Sequence, residues 1–227
     1  MQKIYANFDK KSIEKLPIEL FQGRIFTVST VGETDKAVKY LRRFPMLGID
    51  TETRPNFSRE TSYKVSLLQV STQDTCFLFR LNATGIPDSL AELLANKKQL
   101  KIGLSIKDDI HALNARRNID FGRHIELQEL VRAVGIFDMS LQKIYANLFG
   151  KKISKNKRLS NWEAPILTDG QKHYAATDAW ACIQIYRRLE QLRTDPDYEY
   201  IAPMDDRRMF NIWIDTLLRQ IQHHHHV

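Results

Sequence analysis

The chain has 227 residues, of which 43% are hydrophobic and 27% charged, a composition typical of a globular protein with a sizeable core. No apolar stretch approaches the roughly 20 residues of a membrane span, and the N-terminus lacks the apolar region of a secretory signal, so we expect no membrane partner. The net charge of +7 favours a polyanionic partner, although an unspecialised basic surface explains it equally well. The two cysteines, Cys76 and Cys182, offer neither a disulfide framework nor a zinc-ligand spacing, which favours a reducing, cytoplasmic setting.

The apolar periodicity predicts strands and helices that alternate along most of the chain. The predicted strands are 23–30, the run "MLGI" that ends at Asp50, 64–72, 75–81 and 100–105, and the predicted helices include 86–96, 106–117, 140–150 and about 169–192. Three consecutive strands with short connections, from the Asp50 strand to 75–81, are most simply antiparallel. The strand at 100–105 follows a helix and is expected to be parallel to one of them. The sequence therefore predicts an α/β fold with a mixed sheet flanked by helices.

No low-complexity segment, linker or sustained repeat divides the chain, so the sequence predicts one domain over 20–194. An N-terminal extension, 1–19, precedes it, and a C-terminal tail, 195–227, follows. An amphipathic helix within 203–221 of this tail is expected to pack on the domain, on a second copy of the chain or on a protein partner. The four histidines at 223–226 receive no functional assignment.

A pair of carboxylates closes the apolar strand in "MLGIDTE". Asp50 and Glu52 are two residues apart, so they point to the same face of the strand. Charges directly after a buried run are costly unless they are paired or bound to a metal ion. Most pairs of acids with this spacing are simply solvated, so the pair needs support from other motifs.

A second acidic motif lies in "IGLSIKDDIHAL", where two aspartates open a helix that follows a strand. Acids near a helix N-terminus are favoured by the helix dipole, which explains both without any function. Asp109 lies beside the apolar face of that helix, so its side chain is expected to point toward the sheet more than that of Asp108. Asp109 is therefore the better candidate for a functional acid.

A third motif lies in "LTDGQKHYAATDAWACIQIYRRL". Thr168 and Gln171 form a capping box that fixes the start of a helix. Tyr174 and Asp178 follow with a spacing of four residues, so they are neighbours on one helical face. Taken alone, the pair is more simply explained as a tyrosine at the edge of the core that is hydrogen-bonded to an aspartate one turn away.

Together, the three motifs could bring four carboxylates to one place beside the sheet. Carboxylates that lie so close together repel one another, and each raises the pKa of the others unless cations neutralise them. Mg²⁺ and Mn²⁺ suit sites made only of carboxylate oxygens. Two such ions about 4 Å apart activate water and stabilise the leaving oxygen in phosphodiester cleavage. The sequence therefore leads to the hypothesis of a two-metal hydrolytic site.

These motifs resemble those of the DEDD-type 3′–5′ exonucleases that carry a tyrosine in the third motif, the group that includes ribonuclease D and the exonuclease domain of the Werner-syndrome helicase. The resemblance covers roughly residues 20–192 and rests on the following strings: "GIDTET", "VSLLQVS", "IGLSIKDDIHAL", "LSNW" and "LTDGQKHYAATDAWACIQIYRRLE". It implies a ribonuclease H-like fold with a mixed sheet of about five strands, the first three of them antiparallel.

The resemblance also implies a role for each site residue. Asp50 would bridge two metal ions, Glu52 and Asp178 would hold the first ion, and Asp109 would act on the second through water. Tyr174 would orient the attacking water. The double aspartate departs from the single acid that is usual in this motif, which leaves the choice between Asp109 and Asp108 open.

The densest basic stretch, "KKISKNKR", leads toward the helix of the third motif and contains no acid. It is expected to contact the phosphate backbone of a nucleic acid, although most charge runs are only solvated linkers. Its basic residues, with a weaker candidate from the loop after the first motif, are Lys151, Lys152, Lys155, Lys157, Arg158 and Arg54.

The activity implied by the resemblance is release of 5′-mononucleotides from the free 3′ end of DNA or RNA, with DNA slightly favoured by the Werner-like motifs. A catalytically silent nucleic-acid-binding module of the same fold is one alternative. A subunit that recruits a protein partner through the helix within 203–221 is another.

Overall fold

The computed structural model describes residues 2–56, 62–194 and 197–202; the helix expected within 203–221 lies outside these residues. The strands are β1 (Gln2–Tyr5), β2 (Ile18–Glu19), β3 (Arg24–Val28), β4 (Met46–Glu52), β5 (Leu67–Ser71), β6 (Thr75–Arg80), β7 (Leu100–Gly103), β8 (His124–Glu126), β9 (Lys152–Ile153) and β10 (Tyr198–Ile201). The helices are α1 (Lys10–Glu14), α2 (Val31–Leu41), α3 (Leu81–Thr84), α4 (Asp88–Ala95), α5 (Ile106–Asn114), α6 (Leu127–Ala133), α7 (Leu141–Phe149) and α8 (Asp169–Thr194).

Within the described residues, the central sheet has six strands in the order β3-β6-β5-β4-β7-β8. The three consecutive strands β4, β5 and β6 pair antiparallel, and β7 pairs in parallel with β4, which confirms both expectations. The first strand of the sheet, β3, lies outside that antiparallel group, because it pairs in parallel with β6. The sixth strand, β8, has only three residues, too few for its periodicity to be recognised in the sequence.

Helices cover both faces of the sheet. On one face, Leu47 and Ile49 of β4 belong to a core that includes residues of α2 and α4. On the other face α8 crosses so closely that a Cβ on Gly48 would lie 2.0 Å from the carbonyl oxygen of Ala179. Side chains alternate along a strand, so Asp50 and Glu52 share the face of Gly48 and point toward α8.

The predicted starts of two helices are confirmed. The Ser140 side chain accepts a hydrogen bond from the Lys143 backbone and caps α7, as expected of an N-cap serine. The capping box before α8 is also present, since Gln171 N donates to Thr168 Oγ1 (3.3 Å) and Thr168 N donates to Gln171 Oε1 (3.0 Å). None of the helices in the described ranges is long and apolar enough to span a bilayer.

The segment before the central sheet also forms regular structure. β1 pairs in parallel with β10, and β2 pairs in parallel with β9. The Asn147 amide on α7 bonds both backbone groups of Tyr5, accepting from its N–H at 2.9 Å and donating to its carbonyl at 2.7 Å. Residues 2–19 are therefore fastened along α7 and β9.

Candidate active site

Three of the expected acids meet where β4 ends beneath α8. Asp50, Glu52 and Asp178 each offer a carboxylate oxygen, and these oxygens lie within 4.8 Å of one another. The close approach of α8 to Gly48 brings Asp178, the residue directly before Ala179 on the same helix, over the carboxyl end of β4. We call these three residues and Asp109 the acidic cluster.

The fourth acid reaches the cluster from α5. Asp109 is buried, and its Oδ1 accepts a hydrogen bond of 2.5 Å from the Thr51 hydroxyl, between the two acids of β4. Its Oδ2 is buried and has no hydrogen-bond partner among the described residues. Asp108 is exposed. The structure thus brings Asp109, and not Asp108, to the other acids.

The carboxyl groups of the cluster disfavour ionisation in one another. Burial, followed by the charges of Asp50, Asp178 and Asp109, raises the pKa of Glu52 to about 10. Burial and the neighbouring acids also hold the pKa values of Asp50 and Asp109 well above their ordinary range. Without cations, the cluster would therefore be partly protonated at neutral pH.

The carboxyl group of Asp178 is partly compensated by its neighbours. Burial raises its pKa to about 7, while a hydrogen bond from the Tyr174 hydroxyl and the positive charge of Lys155 limit the rise. Tyr174 is itself buried, and burial together with the charge of Asp178 raises its phenol pKa well above the ordinary value. Tyr174 therefore stays protonated and donates.

The donor set fits divalent metal ions. Every group in the acidic cluster is a hard carboxylate oxygen, the type of ligand that Mg²⁺ and Mn²⁺ prefer. The buried Oδ2 of Asp109 lacks any donor among the described residues, and such an atom is costly unless a proton or a cation satisfies it. Divalent ions would supply that charge and lower the raised pKa values.

Two of the expected basic residues flank the acidic cluster. The charge of Arg158 acts on Glu52, and the charge of Lys155 acts on Asp178. Both side chains are exposed, so they are available to a phosphate group. Lys157 is also exposed, and its side chain lies over Gly170 at the start of α8.

The other expected basic residues have partners within the protein. Lys151 forms an ion pair of 2.5 Å with Glu19. Lys152 Nζ donates to a backbone carbonyl of α1 at 2.5 Å. Arg54 pairs with Glu163 at 3.2 Å and lies over the ring of Tyr63. A phosphate contact by any of these three residues remains a prediction.

Several residues that support the acidic cluster do not follow from the sequence motifs. Thr51 is one of them, because the side chain between two strand acids is expected on the opposite face. Gln69 lies opposite Asp50 in the register of β4 and β5, fully buried, with both amide atoms unbonded among the described residues. A single polar residue inside the apolar run "SLLQVS" is the signal that could have revealed Gln69.

Glu126 supports the start of α5. Its side chain accepts hydrogen bonds from the backbone N–H of Ser105, just before α5, and from that of Gln128. No local sequence pattern indicates these hydrogen bonds.

Trp162 packs beneath the site. It is fully buried, its ring centroid lies 6.0 Å from that of Tyr174, and its indole N–H donates to the Arg158 carbonyl at 3.5 Å. A buried indole is not available to stack on a base, so Trp162 supports Tyr174 and the loop before α8.

A mixed sheet crossed by a helix, with four carboxylates from three elements at their junction, defines the class of ribonuclease H-like nucleases. The chain belongs to the 3′–5′ exonuclease family, because the model of the family described as "3'-5' exonuclease" matches residues 25–193. This match covers most of the described sheet and all four acids of the cluster.

The chain is similar to several known proteins. It is 31% identical over 153 residues to mouse (Mus musculus) "Bifunctional 3'-5' exonuclease/ATP-dependent helicase WRN", covering 65% of this chain and 11% of that protein. It is 29% identical over 192 residues to a "3'-5' exonuclease" of Arabidopsis thaliana, covering 78% of this chain and 67% of that protein. The Nibbler EXO domain of Aedes aegypti superposes with a TM-score of 0.71 at 21% identity, over 87% of this chain and 99% of that domain, and has the same fold.

Proposed function

We propose that the protein hydrolyses phosphodiester bonds at the 3′ end of a nucleic acid and releases 5′-mononucleotides with the help of two divalent ions, Mg²⁺ or Mn²⁺. The single observation that carries the proposal is the convergence of Asp50, Glu52 and Asp178 within 4.8 Å, with Asp109 beside them. A binding module would gain nothing from buried carboxylates that repel phosphates.

The four acids have distinct positions from which to hold the ions. Asp50 interacts with both neighbouring acids: the charge of Asp178 raises the pKa of Asp50, and the charge of Asp50 raises the pKa of Asp109. We therefore assign Asp50 to both ions. Glu52 and Asp178 are assigned to the first ion, and Asp109, with one oxygen fixed by Thr51, to the second. When bound, the ions would activate water and stabilise the charge of the leaving oxygen.

Tyr174 is assigned to positioning the attacking water. Its hydroxyl donates to Asp178, and its pKa is well above the ordinary value because of burial and nearby acids. A phenol with such a pKa does not act as a base at neutral pH. It can hold a water molecule in place through its oxygen while Asp178 holds the hydroxyl proton.

The substrate is proposed to be a nucleic acid strand with a free 3′ end, DNA in preference to RNA. Exposed Lys155 and Arg158 lie beside the acids, where they would offset the phosphate charge of the bound strand. The slight preference for DNA rests on the resemblance of the motifs to those of the Werner-type branch, and RNA as the faster substrate would overturn that part alone.

The direct test uses DNA and RNA oligonucleotides labelled at the 5′ end, with Mg²⁺, with Mn²⁺ and with a chelator. We expect a ladder that shortens from the 3′ end only when metal is present. Asp50→Ala and Asp178→Ala should abolish the ladder. Binding without cleavage under every metal condition would mean that the protein only holds nucleic acid, and the proposal would fail.

A further inference from the structure

The N-terminal segment is fixed beside the basic stretch of residues 151–158. β2 pairs in parallel with β9, which is the start of that stretch. Asp138 is buried and accepts two hydrogen bonds, one from the backbone N–H of Phe8 at 2.8 Å and one from Lys143 Nζ at 2.9 Å. Because both donors meet on one carboxylate, α1, which begins two residues after Phe8, lies next to Lys143.

Charges link α1 to the acidic cluster. The Lys155 side chain is exposed but partly desolvated, which lowers the pKa of its ammonium, and three nearby positive charges lower that pKa further, those of Arg158, Lys10 and Lys143. Asp178 acts on the same ammonium in the opposite direction. Lys155 is therefore close both to Asp178 of the acidic cluster and to Lys10 of α1.

This surface carries more free positive than free negative charge. Residues 138–158 contain six lysines and arginines and one acid, and residues 9–19 contain three lysines and three acids. The acids largely have partners already: Asp138 pairs with Lys143 and Glu19 with Lys151, while Asp9 caps α1.

Unlike those acids, the lysines of α1 have no partner among the described residues. Lys10 and Lys11 are exposed, and their side chains form no hydrogen bond or ion pair with any residue in the described ranges. A pair of free ammonium groups at the end of a basic path from the acidic cluster suits a polyanion that lies across both.

We propose that α1 forms part of the substrate-binding surface, with Lys10 and Lys11 contacting backbone phosphates of a single-stranded nucleic acid several nucleotides before its 3′ end. The strand would pass from the acidic cluster over Arg158 and Lys155 to α1. This inference rests on the proposed function, since it is the acidic cluster that fixes where the 3′ end lies. It gives residues 2–19 a role in holding long substrates.

The test is a double charge reversal, Lys10→Glu with Lys11→Glu. Acids are favoured in the first turn of a helix, so α1 should persist, and an unchanged melting temperature would verify it. The matched control is Lys36→Glu with Lys39→Glu on the exposed surface of α2, across the sheet from α8. Binding is measured by fluorescence anisotropy with strands of about 12 and about 3 nucleotides, in an Asp50→Asn background so that no substrate is degraded.

We expect the α1 variant to bind the long strand about 10-fold more weakly than the control variant does, with a much smaller loss for the short strand. Each phosphate contact on a single strand contributes about 0.7 to the slope of log K against log salt, so losing two contacts should make this slope shallower by about 1.4. An equal loss in both variants, an unchanged slope or a loss that ignores strand length would overturn the inference.

The two proposals fail in different ways. The cleavage assay with the native active site tests the exonuclease, and it is run separately from the binding assay. If the native protein shortens strands from the 3′ end while the α1 reversal leaves the KM for long strands unchanged, only the role of α1 is rejected. If no strand is shortened with any metal, the exonuclease proposal fails whatever α1 binds.

Discussion

Burial raises the pKa of the Asp178 carboxyl group to about 7, close to physiological pH. Replacing it by Asn keeps an acceptor for the Tyr174 hydroxyl and removes one of the charges that oppose one another. We therefore expect Asp178→Asn to stabilise the metal-free protein by about 1 kcal/mol or more, since removal of poorly compensated buried charge often stabilises, and to abolish exonuclease activity.

Denaturant unfolding in the presence of a chelator at pH 8 measures the first effect, and the oligonucleotide assay measures the second. The Tyr174→Phe variant serves as the comparison, because it leaves the charge of Asp178 in place and removes its donor. A less stable metal-free Asp178→Asn protein would show that the cluster is not strained by its own charge.

The adjacent aspartates of α5 provide a matched pair. Asp109 is buried and bonded to Thr51, whereas Asp108 is exposed. We expect Asp109→Asn to reduce kcat by about 100-fold or more, as loss of one group that stabilises charge in a transition state does. Asp108→Asn should change it less than about threefold. Steady-state kinetics of both variants with Mn²⁺ decides the matter, and a reversed order would assign the second metal ligand to Asp108.

At the scale of elements, the loop between β9 and α8 is held by Arg80 at the end of β6. The buried guanidinium of Arg80 donates to the carbonyl oxygens of Ala164 (2.5 Å) and Pro165 (3.3 Å). The same loop carries Lys155, Arg158 and the indole that packs on Tyr174. Arg80 is therefore one of the side chains that position this loop relative to the acids.

Arg80→Lys tests this anchor because a lysine keeps the charge but loses the planar fork that reaches two carbonyls. We expect the unfolding free energy to fall by about 1–3 kcal/mol, the cost of leaving buried polar groups unpaired, and KM to rise by about 10-fold. The matched control is Arg42→Lys, whose guanidinium pairs with Glu92 on the surface. A change in stability without a change in KM would show that the loop is anchored elsewhere.

The helices and strands differ in how well the sequence predicts them. The apolar run before Asp50, the caps of α7 and α8 and the order of the antiparallel strands follow from local periodicity and capping chemistry, so they could be predicted. The short strands could not: β2 and β9 have two residues each and are paired across more than a hundred positions of sequence, and β10 lies in a segment from which only a tail was expected.

The residues of the candidate site also fall into a group that the sequence predicts and a group that it does not. Spacing places Asp50 and Glu52 on one strand face and Tyr174 beside Asp178 on one helical face, so these pairs were predictable. The bond from Thr51 to Asp109 and the burial of Gln69 depend on how α5 and α8 pack against the sheet, and no local pattern encodes that packing.

For the whole molecule, the acidic cluster sets an unusual dependence of stability on pH. In the metal-free fold, Glu52 and Asp178 have pKa values raised to about 10 and about 7, above their ordinary values near 4. The folded protein therefore keeps protons that the unfolded chain releases. The contribution of these two acids to stability is consequently fully present below about pH 4 and is lost as pH rises toward 10.

We expect the unfolding free energy in a chelator to decrease between pH 6 and pH 9, and saturating Mn²⁺ to reduce or remove this decrease. The Asp50→Asn, Asp178→Asn double variant corrects for other titrating groups, because its curve should be flatter over the same range. A metal-free protein that becomes more stable as pH rises would contradict the raised pKa values.

The parallel pairing of β1 with β10 also has a consequence for the order of folding during synthesis. Tyr5 is paired with Ile201, so the first strand leaves the ribosome long before its partner exists. At about 5–20 residues per second, the delay is roughly 10–40 s. The remainder of the sheet can form in that interval, whereas β1 waits as an unpaired strand. The N-terminal segment that carries the lysines of α1 would therefore be completed last, after the acids are already in place.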